Sequence, residues 1–436
     1  MHIGHSRGKI RSVSYFCSQP TTGLLGGLTK QMSISRLAST IKESPTLSLN
    51  EKARKLRDLG HPVIHLGIGE PKNPAPINAL LSSSAKLKAG DIKYVPTDGT
   101  PSLKKAIIRY TEENYDRLVA PENVIVSTGA KQAIFNILFS IINPQDEVII
   151  LAPHWVSYPD MVKMVYGIPV IVAPEDGTFI PRMQDIEEAT TSYTKAIIVN
   201  SPNNPSGAVF PESFIADIVD FCERNEIYLI MDDIYQKLVF DKVVAPSAYK
   251  YTNQDIENSH VLVVNGVAKL YGMTGYRIGW AIAPKRMVEV MTNVQSNITS
   301  CPPVISQSAA EGALTGIQSV VDNLRLSIQN NRDVLMQEMR SFSDVITIKP
   351  LGTFYALPDF RAYTKDSVKL AQFLLEKAMV VTVPGLEFGM EGHLRLSYSG
   401  SVKDVIEGIE RMKWALDPNA PNEIYIGDRK LIRDWL

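Results

Sequence analysis

Cysteine is scarce in this 436-residue chain: Cys17, Cys222 and Cys301 stand alone, an odd number at wide spacings. A disulfide framework and a four-cysteine metal site are thereby excluded, and the usage suits a reducing compartment. Excess charge is lacking too, with 45 Lys and Arg against 46 Asp and Glu. Nothing in that balance draws the chain to nucleic acid or to acidic membranes, so any anion binding must be local. No uninterrupted apolar run approaches the roughly 18 residues of a membrane span. Acidic residues are missing from the first 31 positions, which hold Arg7, Lys9, Arg11 and Lys30. Residues 1–31 are expected to be a dispensable leader, an upstream start or a disordered arm ahead of Met32, in a cytoplasmic protein. The alternative is an organellar transit peptide, with the organelle matrix as destination.

What is present is the patterning of a large α/β protein. Short, near-continuously apolar runs at residues 124–127, 147–152, 196–200, 227–231 and 261–264 alternate with helical stretches such as 130–138 and 211–225. Apolar runs without alternation are expected of strands buried on both faces of a parallel sheet, and the strand–helix order predicts a doubly wound domain. After residue 300 the pattern changes. A long helix is expected over 304–342, with strands at 345–349, 354–358, 380–383 and 394–397 and a helix at 368–377, which reads as a smaller α+β domain. The expected division is a leader (1–31), an N-terminal arm and part of the small domain (32–76), a large domain (77–305), a small C-terminal domain (306–416) and a tail (417–436). Arg325 and Arg332 read as part of a solvated helix face.

The polar residues concentrate at the C-terminal tips of the apolar runs, which share one edge in an open α/β sheet. The first tip is Ser127-Thr128-Gly129-Ala130-Lys131, small residues opening a helix, where backbone N–H groups and the helix dipole favour a phosphate. The others carry Pro153-His154-Trp155, the turn from Asn200 to Gly207, Asp232-Asp233-Ile234-Tyr235, and Asn265 through Lys269. Singly these are ordinary: a helix cap, a tight turn, a surface lysine. Together they supply a phosphate cup, an aromatic plane, an amide, a carboxylate, a phenol and an amine, which is the inventory of a pyridoxal phosphate site.

Residues 264–280, with Lys269 near their start and Tyr276-Arg277-Ile278-Gly279-Trp280 at their end, resemble the cofactor-lysine signature of class I aminotransferases, pyridoxal-phosphate enzymes of fold type I. Residues 200–207 and 231–235 resemble two further motifs of that family, in the same order. Residues 67–71, 153–159 and 393–398 are similar to its bacterial aspartate aminotransferase branch. The resemblance, spanning about 33–415, implies a large, mostly parallel sheet domain with helices on both faces plus a smaller α+β domain. It implies that Lys269 holds pyridoxal 5'-phosphate as a Schiff base and then carries the proton during transfer. Asp232, rather than Asp233, would pair with the pyridine nitrogen, Tyr235 and Asn204 with the ring oxygen, and Trp155 with the ring face. Gly129, Ala130, Lys131 and Arg277 would hold the phosphate. Arg395 would take the substrate α-carboxylate as a bidentate fork, with Gly69, Asn204 and Trp155 completing that subsite. Tyr94 resembles the tyrosine that reaches the partner subunit's phosphate, which implies a homodimer with active sites at the subunit interface.

Two departures matter. Gly266 stands where many relatives place a phosphate-contacting serine, and the helix after the cup has no Lys or Arg over 132–142 to meet a distal carboxylate. The expected reaction is amino transfer between an L-amino acid and a 2-oxo acid, with aspartate and 2-oxoglutarate favoured. An aromatic or broad-specificity donor and a C–S lyase are the alternatives. No metal, nucleic acid or membrane partner is expected.

Overall fold

A computed structural model describes residues 34–41, 45–175, 177–426 and 429–433. They fall into two units: one ends at Thr40 and contributes the helix Arg36–Thr40, and the other runs from Ile41 onward. The expected leader, residues 1–31, lies outside the described residues.

The second unit is organised by a seven-stranded sheet: β1 (Val124–Ser127), β2 (Glu147–Leu151), β3 (Ile168–Val172), β4 (Thr194–Asn200), β5 (Tyr228–Asp232), β6 (Val261–Gly266) and β7 (Gly279–Ile282). Their order across the sheet is β1-β7-β6-β5-β4-β2-β3. Only β7 runs against its neighbours. The apolar runs follow from burial on both sides. Ile125, Val148, Ile150, Ile198, Ile230 and Leu262 enter one core cluster, while their chain neighbours Val126, Ile149, Val199, Leu229 and Val263 enter the other. A period of two with both faces covered leaves no position for a polar side chain until the strand ends. Two strands escaped the sequence reading. Edge strand β3 is partly exposed and contains Pro169, and β7 opens on a glycine.

Beyond the sheet, Ile64–His65 pairs with Val380–Val381, and Leu394–Ser397 lies between Val383–Pro384 and Tyr355–Ala356. Helix Pro45–Asp58 buries Leu49 and Ala53, and its Lys52 pairs with Glu376 on helix Ser367–Ala378. The single helix expected over 304–342 is two, Val304–Thr315 and Ser319–Met339. Gly316 breaks it, and the Gln318 amide donates to the Ala313, Leu314 and Gly316 carbonyls that the break frees. The strand expected at 345–349 forms no ladder, only the bridge Ile346 to Asp359. Within the tail, Glu423–Ile426 and Arg429–Ile432 pair antiparallel. No described helix is long and apolar enough to cross a membrane.

Arg332 is a correction. Its side chain is fully buried, stacked over Phe240 and donating from both terminal nitrogens to Asp241 at 2.9 Å. The Arg332 and Lys349 hydrogen bonds pull the Asp241 carboxyl down to about 2. Helix periodicity marks which face is apolar, but not that a loop carboxylate will meet a cation sunk into that face. Arg332→Met is expected to lower stability by about 2–3 kcal/mol in a denaturant titration. This is less than for a fully buried pair, because Asp241 is a third exposed and keeps Lys349. An unchanged midpoint would mean the pair is idle.

Candidate active site

Because β1, β2, β4, β5 and β6 run parallel, their C-terminal tips converge on one side of the sheet, against the segments that carry Gly69, Tyr355 and Arg395. Between them lies a cavity of about 700 Å³. Ala130, Lys131, Trp155, Asn204, Asp232, Tyr235, Lys269, Arg277, Arg395 and Gly69 all line it. Two residues from the sequence reading do not. Gly129 lies behind the Arg277 guanidinium, and Tyr94 points to solvent with nine-tenths of its surface exposed.

Each tip delivers its side chain for a local reason. Gly129 has φ +86°, and a Cβ there would sit 2.6 Å from Arg277 Nη2, so only glycine lets the guanidinium close over the start of helix Ala130–Ile141. No carboxylate is paired with Arg277 among the described residues, and helix N-terminus and cation together form a site for a dianion. Lys131 crosses the Trp155 ring at 4.6 Å, and burial with Arg277 nearby lowers its pKa. Gly266, the departure from the serine pattern, is dictated by packing. A Cβ there would lie 2.9 Å from the Ile278 carbonyl and 3.0 Å from the Gly279 Cα, because β6 and β7 cross closely at that point.

At the tip of β5 the two aspartates part company. Asp232 lines the cavity: its Oδ2 accepts from the Tyr158 hydroxyl at 2.6 Å, and Oδ1 accepts from the Ile234 N–H at 3.3 Å. Burial raises its pKa to about 6, against the pull of the Tyr158 hydrogen bond. Asp233 is buried away from the cavity, and burial followed by repulsion from Asp232 raises it to about 8. Repulsion within the pair disfavours two charges, and the hydrogen bonds from Tyr158 and the Ile234 N–H favour the charge on Asp232. Asn200 braces this tip from β4. Its amide donates to the Asp232 carbonyl at 2.7 Å, and its Oδ1 accepts from the Asn204 N–H at 2.8 Å.

Opposite the sheet, Arg395 is buried yet has no carboxylate partner among the described residues. Nη1 donates to Asn204 Oδ1 at 3.1 Å and Nη2 to the Gly67 carbonyl at 3.0 Å, Nε has no partner, and the guanidinium stacks 4.4 Å over Tyr355. A buried guanidinium of this kind, facing a cavity, can receive a carboxylate as a bidentate fork. Lys269 lies between the two halves, its ammonium donating to the Gly69 carbonyl. Burial and then Arg395 depress its pKa to about 8. Tyr235 is buried beneath, its hydroxyl 3.5 Å from that of Tyr355.

These residues fit pyridoxal phosphate. The glycine cradle and Arg277 suit its phosphate, an unpaired buried carboxylate suits a protonated ring nitrogen, and an amine of lowered pKa suits its aldehyde. Tyr158, Tyr355, Asn200 and His65 had no role in the sequence reading. They touch other site residues, Tyr158 and Tyr355 across long stretches of chain and Asn200 and His65 partly through near neighbours.

Residues 61–412 match the family model described as "Aminotransferase class I and II". The chain is 37% identical over 387 residues to a probable aspartate/prephenate aminotransferase of Aquifex aeolicus, covering 87% of this chain and 97% of that protein. It is also 37% identical over 383 residues to the aspartate/prephenate aminotransferase of Thermus thermophilus, with the same coverages. Among solved structures, the aspartate aminotransferase of Rhizobium meliloti superposes with a TM-score of 0.85 at 33% identity, covering 89% of this chain and 99% of that one. The Thermus thermophilus enzyme with maleate gives 0.83 at 37%, covering 88% and 100%. Fold, site and kinship agree: the chain belongs to the class I and II aminotransferase family and is a pyridoxal-phosphate-dependent transaminase acting on amino and keto acids.

Proposed function

We propose that this enzyme moves the amino group of L-aspartate to 2-oxoglutarate, with Lys269, Asp232 and Tyr235 as the groups that act on the reacting atoms. When bound, the cofactor supplies an aldehyde that captures amines and a ring that accepts the electron pair left at the substrate Cα. Lys269 would hold that aldehyde, and its amine, with a pKa near the working range, would carry the proton between the substrate Cα and the aldehyde-derived carbon. Asp232 holds the ring nitrogen protonated, and Tyr158 holds Asp232. Tyr235 and Asn204 hydrogen-bond the ring oxygen, and Trp155 covers the ring face. Ala130, Lys131 and Arg277, over Gly129, hold the phosphate. Arg395 fixes the α-carboxylate with Gly69, Asn204 and Trp155, so the scissile Cα–H bond faces Lys269.

The observation that carries this reading is Arg395: a buried guanidinium braced by two uncharged acceptors, across the cavity from an amine of lowered pKa. The names of the relatives support aspartate as donor. An aromatic or broad-specificity donor is the second reading, because helix Ala130–Ile141 brings no basic side chain beyond Lys131. A screen of single amino acids under single-turnover conditions, followed by the change in cofactor absorbance, is expected to show aspartate and glutamate reacting fastest. Aromatic donors outpacing both would overturn the aspartate assignment and leave the class intact.

The same reading makes the enzyme a cytoplasmic homodimer. Tyr94 and its neighbour Ile92 are exposed, and a second cavity, of about 710 Å³, opens onto Thr128, Gln132 and Arg277 with walls of Phe135, Met161 and Ile298. A phenol entering there from a second copy would reach the phosphate cup. Residues 77–305 then act as the cofactor domain. The arm (32–76) and residues 306–416 together carry Gly69 and Arg395, ahead of the 417–436 tail.

A further inference from the structure

His65 lines the active-site cavity and has no part in the chemistry above. It ends the short strand Ile64–His65, and both ring nitrogens are engaged. Nδ1 faces the Gly67 N–H at 3.2 Å, and Nε2 lies 2.9 Å from Asn50 Oδ1. A backbone N–H can only donate and an amide oxygen can only accept. The ring is therefore neutral, bare at Nδ1 and protonated at Nε2. Burial, reinforced by Arg57, Arg395 and Lys72, lowers its pKa to about 4 and keeps that tautomer at working pH.

The same residue that His65 engages through its N–H presents its carbonyl, in the next peptide unit, to Arg395 Nη2 at 3.0 Å. Gly67 is tightly enclosed: a Cβ there would meet Val383 Cγ2 at 3.2 Å and His65 Cε1 at 3.3 Å. With its N–H held by the imidazole and its Cα enclosed, Gly67 can shift its carbonyl only if the imidazole or the neighbouring strand moves. The chain of contacts is Asn50 to His65 to Gly67 to Arg395, and each link allows a single donor–acceptor sense.

We infer that His65 is a positioning residue for the α-carboxylate site: its neutral ring, oriented by Asn50 on helix Pro45–Asp58, holds the Gly67 carbonyl as one of the two braces of the Arg395 fork. The inference rests on the reading that Arg395 receives the α-carboxylate. It concerns binding and not the reacting atoms, so KM carries the effect and kcat does not.

The test uses the holoenzyme, with two readouts: steady-state kinetics with the best donor, and titration of maleate, an unreactive dicarboxylate, against the cofactor absorbance. His65→Phe keeps the bulk of the ring without its nitrogens. Losing the oriented hydrogen bond should raise KM and the maleate Kd about tenfold, with kcat held within about twofold. His65→Asn returns an acceptor near the Nδ1 position and should recover most of that loss. Asn50→Ala, which frees the ring without touching the cavity wall peptide, should give a smaller rise of the same KM-only kind. It also serves as the test if His65→Phe fails to fold. The inference is overturned if His65→Phe, or Asn50→Ala in its place, leaves maleate affinity unchanged, or if His65→Asn is no better than His65→Phe. Arg395→Lys separates the two layers. If it weakens maleate while His65→Phe does not, only the positioning role falls. If it does not weaken maleate, the α-carboxylate reading falls with it.

Discussion

Lys269→Ala is expected to abolish covalent attachment of the cofactor and to lower kcat by about a thousandfold or more. The lysine has two duties, and the substitution removes both. Its amine is the only one at the tip of β6, held over the cavity by the Gly69 carbonyl and depressed to about 8 by burial and by Arg395. A general base so placed contributes about 10²- to 10⁴-fold by itself, before the benefit of covalent capture is added. The phosphate cup does not depend on it. Gly129, Ala130 and Arg277 stay in place, so the variant should still bind the cofactor reversibly and more weakly. Borohydride reduction followed by peptide mass analysis should find one cofactor on the Lys269 peptide of the wild type and none in the variant. A cofactor adduct on another lysine would sink the assignment, and Lys131 is the one to inspect.

Asp232→Asn should cost activity and add stability at the same time. A buried carboxylate beside a protonated ring nitrogen forms a charge pair whose disruption costs about 3–5 kcal/mol, which corresponds to about 10² to 10³ or more in kcat. In the cofactor-free protein the same charge is a burden. Burial raises the Asp232 pKa from 3.8 to about 6. Between those values the folded state binds a proton that the unfolded state lacks, so stability falls as pH rises through the window. The penalty is complete above about pH 6 and absent below about 3.8. An asparagine removes it and can still accept from Tyr158. The cofactor-free variant is therefore expected to melt above the cofactor-free wild type at pH 7 to 8, with the gap closing toward pH 4. A gap that persists at pH 4, or a variant that melts lower throughout, would show that the Asp232 charge is stabilised by the protein itself and not reserved for a ligand.

The contrast between Asp232 and Asp233 marks the limit of reading along the chain. Two adjacent carboxylates at a strand end are equivalent as letters. The pleat separates them, sending one toward the cavity and Tyr158, and the other into the apolar layer near Tyr115 and Tyr110, where it stays protonated. The choice of Asp232 in the sequence reading came from family resemblance; of the two carboxylates, the structure sets Asp232 on the cavity wall. Arg332 teaches the same point from the other side. Its helix is periodic in the expected way, yet its charge is buried because Asp241 arrives from a distant loop.

The sequence alone carried everything that depends on local order. Apolar runs without alternation specify strands buried on both faces, their parallel order brings the tips to one edge, and small residues after β1 specify an anion site at a helix start. Those rules are short-range, so the polar strand tips with Lys269, Asn204, the Asp232-Asp233 pair and the small residues after β1 were legible as letters. Tertiary structure alone decided what faces them. Arg395 is 126 residues beyond Lys269 on a strand of another sheet. Its fork is aimed by Gly67 and Asn204, Gly67 is aimed by His65, and Asp232 is held by Tyr158. Apart from the local contact of His65 with Gly67, those contacts join residues tens to hundreds of positions apart, and which long-range partner meets which is set by how the whole core packs, not by any spacing along the chain.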